Sequence, residues 1–227
     1  MTTINKRYPY FTLERETQPT GERMYMTPDG PLPSVTTILS ATADTSGLDA
    51  WRAYVGETKA NQIRDEATGL GTLMHEHLEC HIQEIDRPRG SNIVRQMAKN
   101  MADTIINRGL IHVDEVWGFE IPLYYPGLYA GTADLLGQWN GQQAVLDYKT
   151  TNKMKTKEQL TDYACQLSAY AMAHNELFGT EINTGVIFMV SRDLKFEEYV
   201  FDVDEMKVKT QEWLGRVEKY FAMQQTS

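Results

Sequence analysis

Two aspartates and a lysine stand in the stretch AGTADLLGQWNGQQAVLDYKTT, Ala130 to Thr151, among residues that otherwise favour a buried β-hairpin. Asn140-Gly141 is the strongest hairpin signal in the chain, because a two-residue type I′ turn needs positive φ at both positions. Partners across such a turn have residue numbers adding to 281, which sets Asp134 opposite Asp147. Side chains alternate along a strand, so Lys149 shares the Asp147 face. Two carboxylates with Cβ atoms roughly 5 Å apart repel each other, and a divalent cation between them is the economical way to satisfy both. A bulge near Gly137 would shift the register by one residue and turn one aspartate to the other face. The bland alternative is a surface strand pair in which Asp147 simply pairs with Lys149. The neighbours weigh against it: Leu135 and Leu136 follow Asp134, Val145 and Leu146 precede Asp147, and buried carboxylates need a partner.

The elements that must position these groups follow from periodicity. RYPYFTLER and RMYMT alternate around TQPTGE and predict an N-terminal hairpin, followed by the turn-rich TPDGPLPS. Ser34 reads as the N-cap of a short helix from Val35 to Leu39. A longer helix is expected from about Leu48 into the Glu66 region, interrupted by GLG at 69 to 71, with a second starting near Thr72 and another over Asn92 to Asn107. His112 to Leu123, Ala130 to Trp139 and Gln143 to Thr150 predict a three-stranded meander. A helix over Glu158 to Phe178, strands at Thr184 to Val190 and Phe196 to Phe201, and a final helix capped by Asp204 and running to about Met223 complete the chain. The class is α/β of the mixed α+β kind: a central mixed sheet with an antiparallel meander, flanked by helices.

The 227 residues suit one packed domain, and no Pro/Gly/Ser linker divides them. The expected division is 1–70 for the N-terminal hairpin and helices, 71–203 for a catalytic core and 204–227 for the C-terminal helix. No apolar run approaches the roughly 20 residues of a membrane span. The N-terminus lacks the apolar core of a secretion signal, so the expected location is cytoplasmic, or the host cytoplasm for a phage-encoded chain. Cys80 and Cys165 are too few for a four-thiolate iron-sulfur cluster. A net charge of -9 excludes a protein that coats nucleic acid by electrostatics, so any such contact must be local.

Gly131-Thr132-Ala133-Asp134, followed by Leu146-Asp147-Tyr148-Lys149-Thr150, resembles the GxxD and DxK motifs of the PD-(D/E)XK nuclease superfamily. Gly71-Thr72-Leu73-Met74-His75 resembles the GxxxH of its RecB-like exonuclease branch, and Gln166-Leu167-Ser168-Ala169-Tyr170 matches that branch's QxxxY. Four motifs in the family's order are far more specific than DxK alone. LPSVTTIL at 32 to 39 further resembles the segment ahead of the nuclease core in the mitochondrial genome maintenance exonucleases and their phage relatives.

The resemblance implies a restriction-endonuclease-like core in which Asp134, Asp147, His75 and the backbone carbonyl of Tyr148 ligate Mg²⁺ or Mn²⁺, with Glu120 a further candidate. Lys149 would orient or help deprotonate the attacking water and stabilise charge on the phosphate. Gln166 and Tyr170, one helical turn apart, would position Lys149 or grip the DNA backbone. His75 and Glu79 share another helical face. His77 and His81 do not form an HExxH pair, and a separate zinc site is not expected. Lys153, Lys155 and Lys157, at the exit of the DxK strand, could bind flanking phosphates, although such runs are usually solvated loops. Ser34, Thr36, Thr37 and Arg52 are candidates for the strand's path, and Trp51 or Tyr54 for base stacking.

The function implied is that of a metal-dependent DNA exonuclease acting at single-stranded ends or flaps in recombination, repair or end processing, with a DNA-processing protein as a conceivable partner. The rivals are a duplex-end exonuclease of the lambda type and a non-catalytic nucleic-acid-binding module that keeps the fold. The presence of His75, Asp134, Asp147 and Lys149 together weighs against the second.

Overall fold

A computed structural model describes residues 3–19 and 21–225. Strands β1 (Thr3–Ile4), β5 (Val113–Tyr125), β6 (Tyr129–Trp139), β7 (Gln142–Thr151), β8 (Thr184–Ser191) and β9 (Phe196–Phe201) form one sheet in that spatial order. β5, β6 and β7 are the expected antiparallel meander, whereas β1 joins β5 and β8 joins β7 in parallel, so the sheet is mixed. A second sheet contains β2 (Glu14–Thr17), β3 (Arg23–Thr27) and β4 (Gly30–Pro33). The helices are α1 (Val35–Thr42), α2 (Ser46–Val55), α3 (Glu57–Ile82), α4 (Ile93–Arg108), α5 (Thr161–Phe178) and α6 (Val203–Gln225). Among the described residues no helix is long and apolar enough to cross a membrane.

Two cores account for the layers. Leu136, Val145, Ile187 and Met189 of the large sheet pack against Val35 and Ile38 of α1, Leu167 of α5 and Trp213 of α6. On the opposite face Leu135, Leu146, Tyr148 and Phe188 pack against Leu70, Met74 and Leu78 of α3 and Met101 and Ile105 of α4. Adjacent residues of β6 and β7 divide between the two cores, which explains why these strands read as continuous apolar runs.

Several local expectations are corrected. α3 runs unbroken through Gly69 and Gly71, so the expected boundary at 70/71 lies inside one helix. Leu70, Met74, Leu78 and Ile82 recur every four residues and are all buried. Each contributes roughly 1.5–3 kcal/mol, more than the ~1 kcal/mol a helical glycine costs. The real break is Gly56, whose φ of 87° separates α2 from α3. The alternation of RYPYFTLER yields a strand only from Glu14, and part of TPDGPLPS pairs as β4. Thr20, in the expected TQPTGE turn, lies outside the described residues. Ser34 caps α1 as expected, accepting Thr37 N–H at 3.0 Å. Asp202, not Asp204, caps α6, accepting from the N–H groups of Asp204 and Glu205 at 3.0 Å each.

Candidate metal centre and active site

The turn at Asn140 and Gly141 has φ of 46° and 76°, as a type I′ hairpin requires. The expected register holds from Trp139–Gln142 to Leu135–Leu146 and then stops, one pair short of the aspartates. The anticipated bulge lies on the other side of β6: β5 slips between Val113 and Glu115 and between Val116 and Gly118. There a Cβ on Gly137 would come within 2.0 Å of the Glu115 carbonyl oxygen. The β5–β6 ladder also passes from Phe119–Leu135 to Ile121–Ala133 and omits Glu120 and Asp134. Glu120 has φ of 47°, a left-handed conformation that costs a non-glycine residue about 1–2 kcal/mol. Asp134 is therefore omitted from the ladders on both sides.

In a strand the N–H and C=O of one residue point the same way, so with the ladder ended Tyr148 offers both toward β6. Asp134 Oδ2 accepts the Tyr148 N–H at 3.0 Å, taking the place of a backbone carbonyl. His75 Nε2 stands 3.0 Å from the Tyr148 carbonyl oxygen. A carbonyl can only accept, so Nε2 carries the proton. Nδ1 then lies 3.7 Å from Asp134 Oδ2 and 3.8 Å from Glu120 Oε1. Ligand atoms of His75, Glu120 and Asp134 all lie within 4.8 Å of one another.

On a neutral imidazole Nδ1 is an acceptor facing acceptors, an arrangement that a proton or a cation resolves. Burial works against a charge on His75, but the Asp134 and Glu120 carboxylates outweigh it and push its pKa up to about 9. One imidazole and two carboxylates fit a hard or borderline divalent ion. The Tyr148 carbonyl, expected as a ligand, already serves His75 and offers only its second lone pair.

Asp147 does not join that trio. It is 1% exposed, and Lys149 Nζ lies 2.6 Å from its Oδ2 and 2.9 Å from its Oδ1. The pairing that the sequence argument weighed against is thus present, but buried rather than on the surface. Oδ2, despite the short ion-pair distance, receives no properly angled hydrogen bond. Burial raises the Asp147 carboxyl above the usual range, Lys149 pulls it back, and Asp134 adds to the rise. A buried oxygen with lone pairs to spare is what a neighbouring cation can use.

No family model matches the chain. It is 25% identical, over 232 aligned residues, to human mitochondrial genome maintenance exonuclease 1, covering 94% of this chain and 66% of that protein. The Xenopus tropicalis protein of the same name is 25% identical over 209 residues, covering 85% of this chain and 58% of that one. The chain thus spans less than two thirds of either relative. Among solved structures, a Eubacterium rectale protein described as an exonuclease superposes with a TM-score of 0.52 over 70% of this chain and 65% of its own. At 11% identity that likeness concerns the fold alone. The chain is a nuclease-fold relative of the mitochondrial genome maintenance exonucleases.

Within this nuclease fold the remaining candidates separate. Gln166 and Tyr170, expected to position Lys149 or grip a DNA backbone, are buried at 9% and 3% exposure. Gln166 Nε2 donates to Tyr170 Oη at 3.4 Å, and the Tyr170 ring lies where a Cβ on Gly131 would be, 2.7 Å from its Cε1. The QxxxY helix therefore fixes the strand that carries Asp134. Lys157 pairs with Glu205 at 2.5 Å and lies over Phe201. Lys153 remains exposed, and Lys155 rests 5.1 Å from the Tyr163 ring centroid.

Ser34 is buried in the α1 cap, and Thr37 Oγ1 accepts the Arg23 N–H at 3.0 Å. Thr36 and Thr37 line a polar cleft of about 480 Å³. Arg52 is held by Glu57 and by Asn61, at 3.1 Å, on the α2–α3 arm. Trp51 and Tyr54 are exposed on α2. A hollow of about 800 Å³ is lined by Ile4, Ile82, Ile85, Arg87 and Ile111 and by none of the site residues.

Two residues were under-read from the sequence. Glu79, one turn after His75, has its carboxyl pushed up by burial and then by the Glu120 charge, which marks it as part of the same acidic environment. Tyr163 lies 5.0 Å from Lys149 Nζ, and its only sequence signal is its helical spacing from Gln166 and Tyr170.

Proposed function

We propose that the chain is a divalent-metal-dependent DNA exonuclease, using Mg²⁺ or Mn²⁺ to hydrolyse phosphodiester bonds at single-stranded ends or flaps in recombination, repair or end processing. The reading rests on one observation: His75, Glu120 and Asp134 converge beside the buried Asp147–Lys149 pair. Curated relatives named as exonucleases support it. His75 Nδ1, Asp134 and Glu120 would hold the ion, with Asp147 adjoining. A divalent ion held there would polarise a phosphoryl oxygen and lower the pKa of its bound water.

The chain's own groups do the rest. The Tyr148 backbone orients two of the ligands through its N–H and C=O. Burial disfavours the Lys149 charge, but Asp147 and Asp134 outweigh it and raise its pKa above the ordinary lysine value. That shift favours Lys149 as a donor that orients water and neutralises charge on the phosphate.

The test is digestion of end-labelled single-stranded, duplex and flap DNA with Mg²⁺, Mn²⁺ or EDTA. Wild type should release label from single-stranded ends only with metal, and Lys149→Ala and Asp134→Asn should each be slower by on the order of 100-fold or more. Wild type that leaves every substrate intact in both metals would overturn the proposal.

A further inference from the structure

We infer that Tyr163 is a positioning residue that holds the Lys149 ammonium in place from α5. A lysine head group is a point charge on a flexible four-carbon stem, and one partner does not fix its direction. Asp147 is that partner on the β7 side, but it lies only two residues away on the same strand and moves with it. The second hold comes from a different element: Lys149 Nζ lies 5.0 Å from the Tyr163 ring centroid, within cation–π range. The Lys149 side chain is only 20% exposed, so water screens this contact weakly.

The α5 platform is itself anchored. Ala164, Cys165 and Leu167 are fully buried on either side of this turn, and Gln166 and Tyr170 continue the same helical face. Lys155 Nζ approaches the same ring at 5.1 Å, and the Lys155 carbonyl accepts the Tyr199 hydroxyl. One half-buried tyrosine thus joins the lysine of the DxK strand to the loop that follows it. Any sharing of the Asp147 oxygens with a cation weakens the carboxylate's hold on Lys149, and the aromatic hold then matters more.

The inference rests on the proposed nuclease reading, because it takes Lys149 to act on phosphate. The experiment compares wild type, Tyr163→Phe, Tyr163→Leu, Lys149→Ala and the Tyr163→Leu/Lys149→Ala double variant. It measures single-turnover cleavage at saturating DNA, DNA affinity in EDTA, and thermal melts. Tyr163→Leu should cleave about tenfold more slowly while losing far less than that in DNA affinity in EDTA. Tyr163→Phe, which keeps the ring face, should restore most of the rate, and the double variant should be no slower than Lys149→Ala.

Wild-type rates in Tyr163→Leu, equal losses in Tyr163→Phe and Tyr163→Leu, or multiplying losses in the double variant would each overturn the inference. Should wild type cleave no DNA, the nuclease reading falls, and the contact is judged from the metal-free melts alone. Coupled destabilisation by the two substitutions supports it, and additive shifts remove it.

Discussion

The two glycines that open the sequence motifs should respond in opposite ways to the same added methyl group. Gly71 lies inside α3, and its Cβ would meet only Thr150 Oγ1, at 3.8 Å, an ordinary contact. Alanine there gains helix propensity of about 1 kcal/mol, which for a domain of this size raises Tm by roughly 2–4 °C. Gly131 has no unusual φ, but its Cβ would fall 2.7 Å from Tyr170 Cε1 and 3.0 Å from Tyr170 Oη. That ring is buried on α5 and has nowhere to retreat. Gly131→Ala should therefore cost about 1–3 kcal/mol, the usual range for overpacking. It should also displace Asp134, three residues along the same strand. The assay is thermal and denaturant unfolding of both variants, each with EDTA and with Mn²⁺. Gly71→Ala should melt above wild type and keep the full metal-induced shift, while Gly131→Ala should melt lower and lose part of it. A Gly131→Ala protein with wild-type stability and an unchanged metal shift would refute the claim that the GxxD glycine exists to admit Tyr170.

Saturation with Mn²⁺ at about 100 times its Kd should stabilise wild type by roughly 2.7 kcal/mol, and Asp134→Asn or Glu120→Gln should shrink that shift in calorimetry; an undiminished shift in both would place the ion elsewhere. Replacing Lys153 and Lys155 together should lower the salt slope of single-stranded DNA binding by about 1.4, at roughly 0.7 per phosphate contact. Lys157→Ala should leave that slope as it is, because Glu205 holds the ammonium. Burial holds the His174 pKa down at about 4 against an ordinary 6.5. The unfolded chain therefore binds the extra proton as pH falls through that window, stability drops by up to about 3 kcal/mol, and acid titration of His174→Gln should show a shallower loss.

Five of the six strands of the large sheet were legible in the sequence because their signals are local, whereas the two-residue β1 carries no such signal. Asn140-Gly141 fixes both turn type and register, and Val145, Leu146, Leu135 and Leu136 mark strands covered on both faces. The glycines of GLG misled because propensity is a per-residue quantity, whereas α3 is held by the buried row from Leu70 to Ile82, which belongs to the tertiary structure. The turn-rich TPDGPLPS misled for the same reason. Pro31 and Pro33 tolerate β4 because that strand lies at the edge of its sheet, where a missing N–H matters little.

The site was legible in its residues and not in its geometry. Alternation gives every strand residue a partner and a face, so it set Asp134 against Asp147 and made a cation the natural link. The backbone departs from alternation at this point: Glu120 takes positive φ, both ladders omit Asp134, and nothing in the preferences of glutamate announces it. The departure has a consequence beyond moving one carboxylate. By ending the β6–β7 ladder early it frees the N–H and C=O of Tyr148, and those two groups then fix Asp134 and the His75 tautomer. Asp147 and Lys149, on either side of Tyr148 along β7, point instead toward α5 and Tyr163. One strand position therefore divides the charges into an open set suited to a cation and a packed set suited to holding a proton on lysine. Proteins place backbone strain where it arranges chemistry, and the strain at Glu120 accompanies the separation of the His75, Glu120 and Asp134 trio from the buried Asp147–Lys149 pair.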